Sequence, residues 1–178
     1  MVLGVQALYA DDEASALRHL EQALDHGRQA GDLTAQARVQ HNLGLLQARH
    51  GRFGGARAAY EDSIRLSGEA GVAPLAMTET NLGALCLHAG DMSAARHHLD
   101  EALGLARAAG SRRDLLYARN SLGDWHLRRG DLLSARDVWT EARGIAREMG
   151  DRGQEAVALS GLSKVALAEG QPAVGERL

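Results

Sequence analysis

Eight histidines are the first residues to weigh for chemistry in this 178-residue chain. A zinc site needs ligands one helical turn apart or in one of the known short spacings. His97 and His98 are adjacent, so on a helix they point about 100° apart. His19 and His26 are seven positions apart, too far to chelate one ion directly. No His-Glu-x-x-His occurs, so the histidines read as solvated surface groups and no metal is expected. Carboxylates cluster at Asp11-Asp12-Glu13, Glu61-Asp62 and Asp100-Glu101. Acid–base catalysis would need such groups in a cleft with their pKa values pushed apart. The first run instead falls at a helix start, where the macrodipole favours negative charge. The other two occupy equivalent places and read as a repeated solvated face. The single cysteine, Cys86, cannot close an internal disulfide and reads as a small buried hydrophobe rather than a nucleophile. No glycine-rich phosphate loop follows a strand. The expectation is a protein without catalytic residues, metal or cofactor.

Composition narrows the class further. The chain is 45% hydrophobic and 24% charged, the balance of a folded globular protein. Twenty basic against 23 acidic residues leave a net charge of -3, which gives little attraction for phosphate backbones. No apolar run reaches the ~18 residues of a membrane span, and Met1–Ala10 lacks the basic start of a secretion signal. A reducing, cytoplasmic setting is expected. Only two prolines occur against 21 glycines, so helices must carry their glycines near their ends. Lys164 is the sole lysine, an Arg bias that reads as a GC-rich genome.

The elements come from an internal repeat. Leu3, Leu43, Leu82, Leu122 and Leu162 are spaced by 40, 39, 40 and 40 residues. Ala16, Ala56, Ala95 and Ala135 keep the same register, as do Leu20, Tyr60, Leu99 and Trp139. Two glycine series, Gly51/Gly90/Gly130/Gly170 and Gly31/Gly71/Gly110/Gly150, divide each period into two elements. Ala95, Leu99, Ala102, Leu103 and Ala106 mark one face of a helix, and Ala135, Trp139, Ala142 and Ala146 repeat it. First (A) helices are expected at about 1–10, 33–50, 73–89, 113–129 and 153–169. Second (B) helices are expected at about 12–30, 53–70, 92–109 and 132–149, with 171–178 opening another. The boundary glycines should close helices in the left-handed conformation. Asp32, Asp91, Ser111, Asp131 and Asp151 should cap the next ones. Gly44, Gly83 and Gly123 fall inside helices, where close approach of paired backbones would explain them.

Leu43-Gly44 with Ala56-x3-Tyr60, Leu82-Gly83 with Ala95-x3-Leu99, and Leu122-Gly123 with Ala135-x3-Trp139 resemble the tetratricopeptide repeat. The closing proline is missing and the period is 40 rather than 34. This longer variant resembles the repeats of kinesin light chains and Leu-Gly-Asn-type scaffolds. It is also similar to the C-terminal arrays of bacterial, notably actinobacterial, transcription regulators. The resemblance implies an all-α, right-handed α-solenoid of antiparallel helix pairs. It would be one domain over 1–178, with repeats at about 1–31, 32–71, 72–110 and 111–150 and a partial one at 151–178. Ends that fall within a repeat suggest a piece of a longer array, or self-association through those ends.

In the family the resemblance names, A helices line a concave groove that receives a peptide. Transferred by register, the lining is Arg38, His41, Asn42 and Leu45, then Met77, Thr80 and Asn81. It continues through Tyr117, Asn120 and Asp124 to Lys164. Asn42 and Asn81 occupy the slot that contacts a peptide backbone in such proteins, or else they bond neighbouring helices. Trp139 and Tyr60 are expected as anchors between repeats, and Trp125 as the more exposed tryptophan. The function implied is a non-catalytic interaction module for a peptide or protein segment. The alternative is the peptide- or ligand-sensing domain of a bacterial transcription regulator.

Overall fold

The computed structural model describes residues 13–170, all of it helix and short turn. Among these residues eight helices follow one another: α1 (Glu13–Gln29), α2 (Leu33–Arg49), α3 (Phe53–Glu69), α4 (Ala76–Ala89), α5 (Met92–Ala108), α6 (Arg112–Arg128), α7 (Leu132–Met149) and α8 (Arg152–Ala168). The expected helix over 1–10, the tail 171–178 and the ends invoked for self-association lie outside the described residues.

The boundaries follow from glycine and aspartate chemistry. Gly31, Gly51, Gly71, Gly90, Gly110, Gly130, Gly150 and Gly170 all take φ between 62° and 81°, where a Cβ would clash with the backbone. Behind Gly31, Gly51, Gly71, Gly90, Gly110, Gly130 and Gly150 the next amide returns to the helix just ended, as Asp32 N donates to Gly27 O at 2.9 Å and Asp131 N to His126 O at 3.0 Å. At five of these joints the same residue then caps the following helix, whereas Arg52 makes no side-chain cap bond. Side-chain oxygens of Asp32, Asp91, Ser111, Asp131 and Asp151 accept from Ala35, Ala94, Asp114, Ser134 and Gln154 amides. The Ser134 hydroxyl and amide hold the Asp131 carboxyl below its ordinary range, with His126 adding to the effect. One start differs from expectation. Helix α4 begins at Ala76 rather than near 73, because Pro74 disfavours helical geometry at Ala73.

The chain divides into two compact units, with the division at Leu85–Cys86. In the first unit α2 packs on both α1 and α3. Its core joins Ala16, Leu20, Leu24, Val39 and Leu46, and a second cluster joins Ala56, Tyr60 and Leu82. In the second unit α5, α6, α7 and α8 pack in sequence, and α6 also meets α8 directly. Its clusters centre on Leu99, Leu103, Leu122 and Trp125, and on Leu116, Trp139, Ala142 and Val165. The stripe Ala95, Leu99, Ala102, Leu103 and Ala106 is buried as its spacing requires, and Cys86 is fully buried.

The glycines inside helices serve side chains, not backbones. A Cβ on Gly44 would stand 2.5 Å from the Tyr60 ring. Trp139 lies against two glycines at once: a Cβ would meet its ring at 2.4 Å from Gly123 and at 2.2 Å from Gly161. Gly44, Gly123 and Gly161 are therefore the seats of B-helix aromatics.

Gly161→Ala should lower unfolding free energy by about 1–3 kcal/mol through overpacking against the indole. Gly104 also lies within a helix, but nothing stands within 4 Å of its missing Cβ. Gly104→Ala should instead raise stability by roughly 0.5–1 kcal/mol. Urea denaturation of the two variants measures both signs.

Candidate functional site

In the first unit the candidate residues sit on α2 and α4. Arg38 is exposed, and His41, Asn42, Leu45, Met77 and Asn81 are half-buried. The polar groups are largely turned to neighbours. His41 Nδ1 is hydrogen-bonded at 2.9 Å to the hydroxyl of Thr78, a fully buried residue, and the His41 ring stands 5.8 Å from that of Tyr60. Burial pushes the Tyr60 phenol up to about 12, opposed by a side-chain hydrogen bond with Asn81. Asn81 thus does what the second of its two expected roles requires, bonding across to a neighbouring helix. Thr80 departs from the groove expectation. It is 3% exposed, and its hydroxyl donates to Ala76 O one turn back at 3.0 Å, leaving nothing to present to a ligand.

In the second unit the candidates sit on α6 and α8. Tyr117 is half-buried. Asn120 is 5% exposed, and its amide Nδ2 donates to Gln154 Oε1 at 2.8 Å, so it ties α6 to α8 rather than lining an open surface. Asp124 and Lys164 do come together, with Nζ 3.7 Å from Oδ1 and both side chains about half exposed. They flank a cleft of about 320 Å³ that Ser160, Gly161, Ala156 and Val157 also line. Its floor is Trp139, a B-helix residue that the transferred register leaves out. The indole reaches this face because Gly123 and Gly161 carry no side chain, a signal present in the sequence at both positions.

Trp125 is the more exposed of the two tryptophans, as expected, at 6% against 1% for Trp139. It is still buried, because its Nε1 donates to Met92 O at 2.8 Å and its ring packs among Leu99, Leu103 and Leu122. Among the described residues no group of three or more His, Cys, Asp or Glu could hold a metal ion. No described helix is long and apolar enough to cross a membrane.

The sequential pairing of helices, the αL-glycine turns and the aromatic-on-glycine seats define an all-α tetratricopeptide-like solenoid. Residues 74–148 match the Tetratricopeptide repeat family in sequence as well. The fold extends over nearly the whole chain in comparison with solved structures. BtubC (BKLC) from P. vanneervenii superposes with a TM-score of 0.80 at 21% identity, covering 95% of this chain and 71% of that one. The nearly identical TPR-like repeats from Podosopora anserina, assigned to a kinesin light chain, give 0.68 at 13% identity, covering 94% and 84%. A double mutant of MamA RS-1 gives 0.57 at 17% identity, covering 93% and 90%. No curated protein matches the chain in sequence. Tetratricopeptide repeats are in general protein–protein interaction modules, and proteins of this fold are typically non-catalytic scaffolds.

The Tyr60 phenol gives a pH signature. Its folded pKa of about 12 stands above the ordinary value of 10. The folded state therefore keeps this proton after the unfolded chain has lost it. The stability difference is fully present below pH 10 and falls away as pH rises toward 12, by at most about 3 kcal/mol. Urea denaturation at pH 9 and at pH 11.5 should show this loss, and Tyr60→Phe should show less of it.

Proposed function

We propose that this chain is a non-catalytic interaction module that holds a peptide or protein segment against the outward faces of its A helices. The observation that carries the reading is the cleft between Asp124 and Lys164, floored by Trp139. Four residues lining it, Asp124, Ser160, Gly161 and Lys164, lie at positions the repeat register assigns to the groove. An apolar floor with one cation and one anion at its rim suits an extended segment: the floor takes a side chain and the rim groups take its polar flank. The helices are preformed, so the protein itself orders little on binding. In the first unit the outward groups that support the same reading are Arg38, Asn42 and Leu45. Asn81, Thr80 and Asn120 act from within, by holding the helices that present the surface.

The test is a pull-down from native lysate read by mass spectrometry, followed by titration of the recovered peptide. Lys164→Ala and Asn42→Ala should each weaken binding about 5–10-fold, roughly 1–1.4 kcal/mol, with circular dichroism and thermal stability unchanged. Asn81→Ala is unsuited to this purpose, because it strips a buried phenol of its hydrogen-bond partner. Equal affinity in the Lys164→Ala and Asn42→Ala variants would remove the groove as the binding surface.

A further inference from the structure

A second surface, in the second unit, shares no residue with the groove candidates. Between the first two turns of α5 and the C-terminal end of α6 is an open cleft of about 830 Å³. Trp125 and Met92 give it apolar lining, and the Trp125 ring is fixed in place by the Nε1 hydrogen bond to Met92 O. Two guanidinium groups converge on that one indole. Arg96, from α5, stands 4.9 Å from the ring centroid, and Arg129, from the end of α6, stands 4.7 Å from it. Arg96 is already paired, its Nε donating to Asp100 Oδ2 at 2.7 Å. Arg129 has no ion pair with a carboxylate among the described residues. The two arginines and Asp100 together leave one net positive charge in the cleft, before any charge on His97, which also lines it.

We propose that this cleft binds an acidic peptide segment of a partner protein, with Arg129 taking a carboxylate and Trp125 and Met92 receiving the apolar residue beside it. Three observations select that occupant. Arg129, its guanidinium carbon 4.7 Å from the ring centroid and without a carboxylate partner among the described residues, has N–H groups to offer a planar carboxylate. The single uncompensated charge fits one carboxylate, whereas a phosphate dianion would add its second charge against Asp100. The volume exceeds one carboxylate and matches a short run of side chains. The site is independent of the groove reading, since it shares no residue with it.

The two tryptophans make the test selective. Trp125 lines this cleft and Trp139 floors the other, so their indole N–H signals in a 1H–15N spectrum report the two surfaces separately. The probe is acetyl-Glu-Leu-Glu-Leu-Glu-amide at low salt, with the Gln-for-Glu peptide as control. The expected result is a saturable shift of the Trp125 indole signal with the Glu peptide only, weakened at least five-fold in Arg129→Gln. The Trp139 signal should stay put throughout, which also shows that the variant is folded. Arg96→Gln should weaken binding less, because Arg96 already serves Asp100. A shift confined to Trp139 would assign acidic peptides to the groove and overturn the proposal. No Trp125 shift at millimolar peptide would overturn it as well, as would an equal shift with the Gln peptide.

Discussion

The seating of one aromatic ring on glycine is the constraint around which the second unit is built. Trp139 projects from α7 into the space between α6 and α8, and neither neighbour has room for a methyl group where the indole lies. A glycine inside a helix costs about 1 kcal/mol relative to alanine, and this structure accepts that cost twice. The indole Nε1 is moreover buried with no hydrogen-bond partner. The ring is therefore held for its shape and area, and its polar atom is a cost that packing offsets. What is obtained is a fixed separation between two A helices, and with it the width of the cleft between Asp124 and Lys164. Tyr60 on Gly44 repeats the arrangement in the first unit with a ring whose hydroxyl does find a partner, in Asn81.

Polar residues of the A helices divide into two groups by this geometry. His41, Thr78, Thr80, Asn81, Asn120 and Gln154 are engaged with one another, with the phenol or with their own backbone. Apart from Thr80, which bonds within its own helix, they satisfy buried groups between helices, where an unmade hydrogen bond costs about 1–3 kcal/mol, though the Asn120 Oδ1 itself has no partner. Arg38, Asp124 and Lys164 reach further from the packed layer, and these carry the character of the outward face. Mutating the first group changes the scaffold, while mutating the second changes what the scaffold can hold.

Much of the fold was legible in the sequence because its determinants are local. A left-handed glycine, an aspartate cap and a four-residue alanine spacing each act within a few residues, so the helix positions could be read directly from the repeat. Pro74 was equally visible, and its effect on the start of α4 follows from the same local sterics. The candidate surface was less legible because exposure on an A helix depends on how far each neighbour overlaps it. Register assigns Thr80 and Asn120 the same slot as His41, one step before the slot of Asn42, yet they are 3% and 5% exposed while His41 keeps part of its surface. Trp125 is the more exposed tryptophan, as its place off the stripe of its helix implies, yet at 6% it is still buried, because the start of α5 folds over it and supplies a carbonyl to its indole. Arg96 shares its repeat slot with Arg57 and Arg136, but its convergence with Arg129 on that ring appears only in three dimensions.

The turns have a consequence for how such a chain can change length. In the Gly-Asp and Gly-Ser joints one residue's amide closes the helix behind while its side chain opens the helix ahead. A residue inserted between glycine and aspartate would separate those two duties and leave either a frayed end or an uncapped start. Inserting or deleting a whole helix pair of about 40 residues keeps every joint intact. Two connections lack the shared cap: the one through Arg52, whose side chain makes no cap bond, and the longer one through Val72 and Pro74. Length in this architecture is thus quantised at the Gly-Asp and Gly-Ser joints, and the longer Val72–Pro74 connection is the natural place for an added loop, an affinity tag or a fused domain.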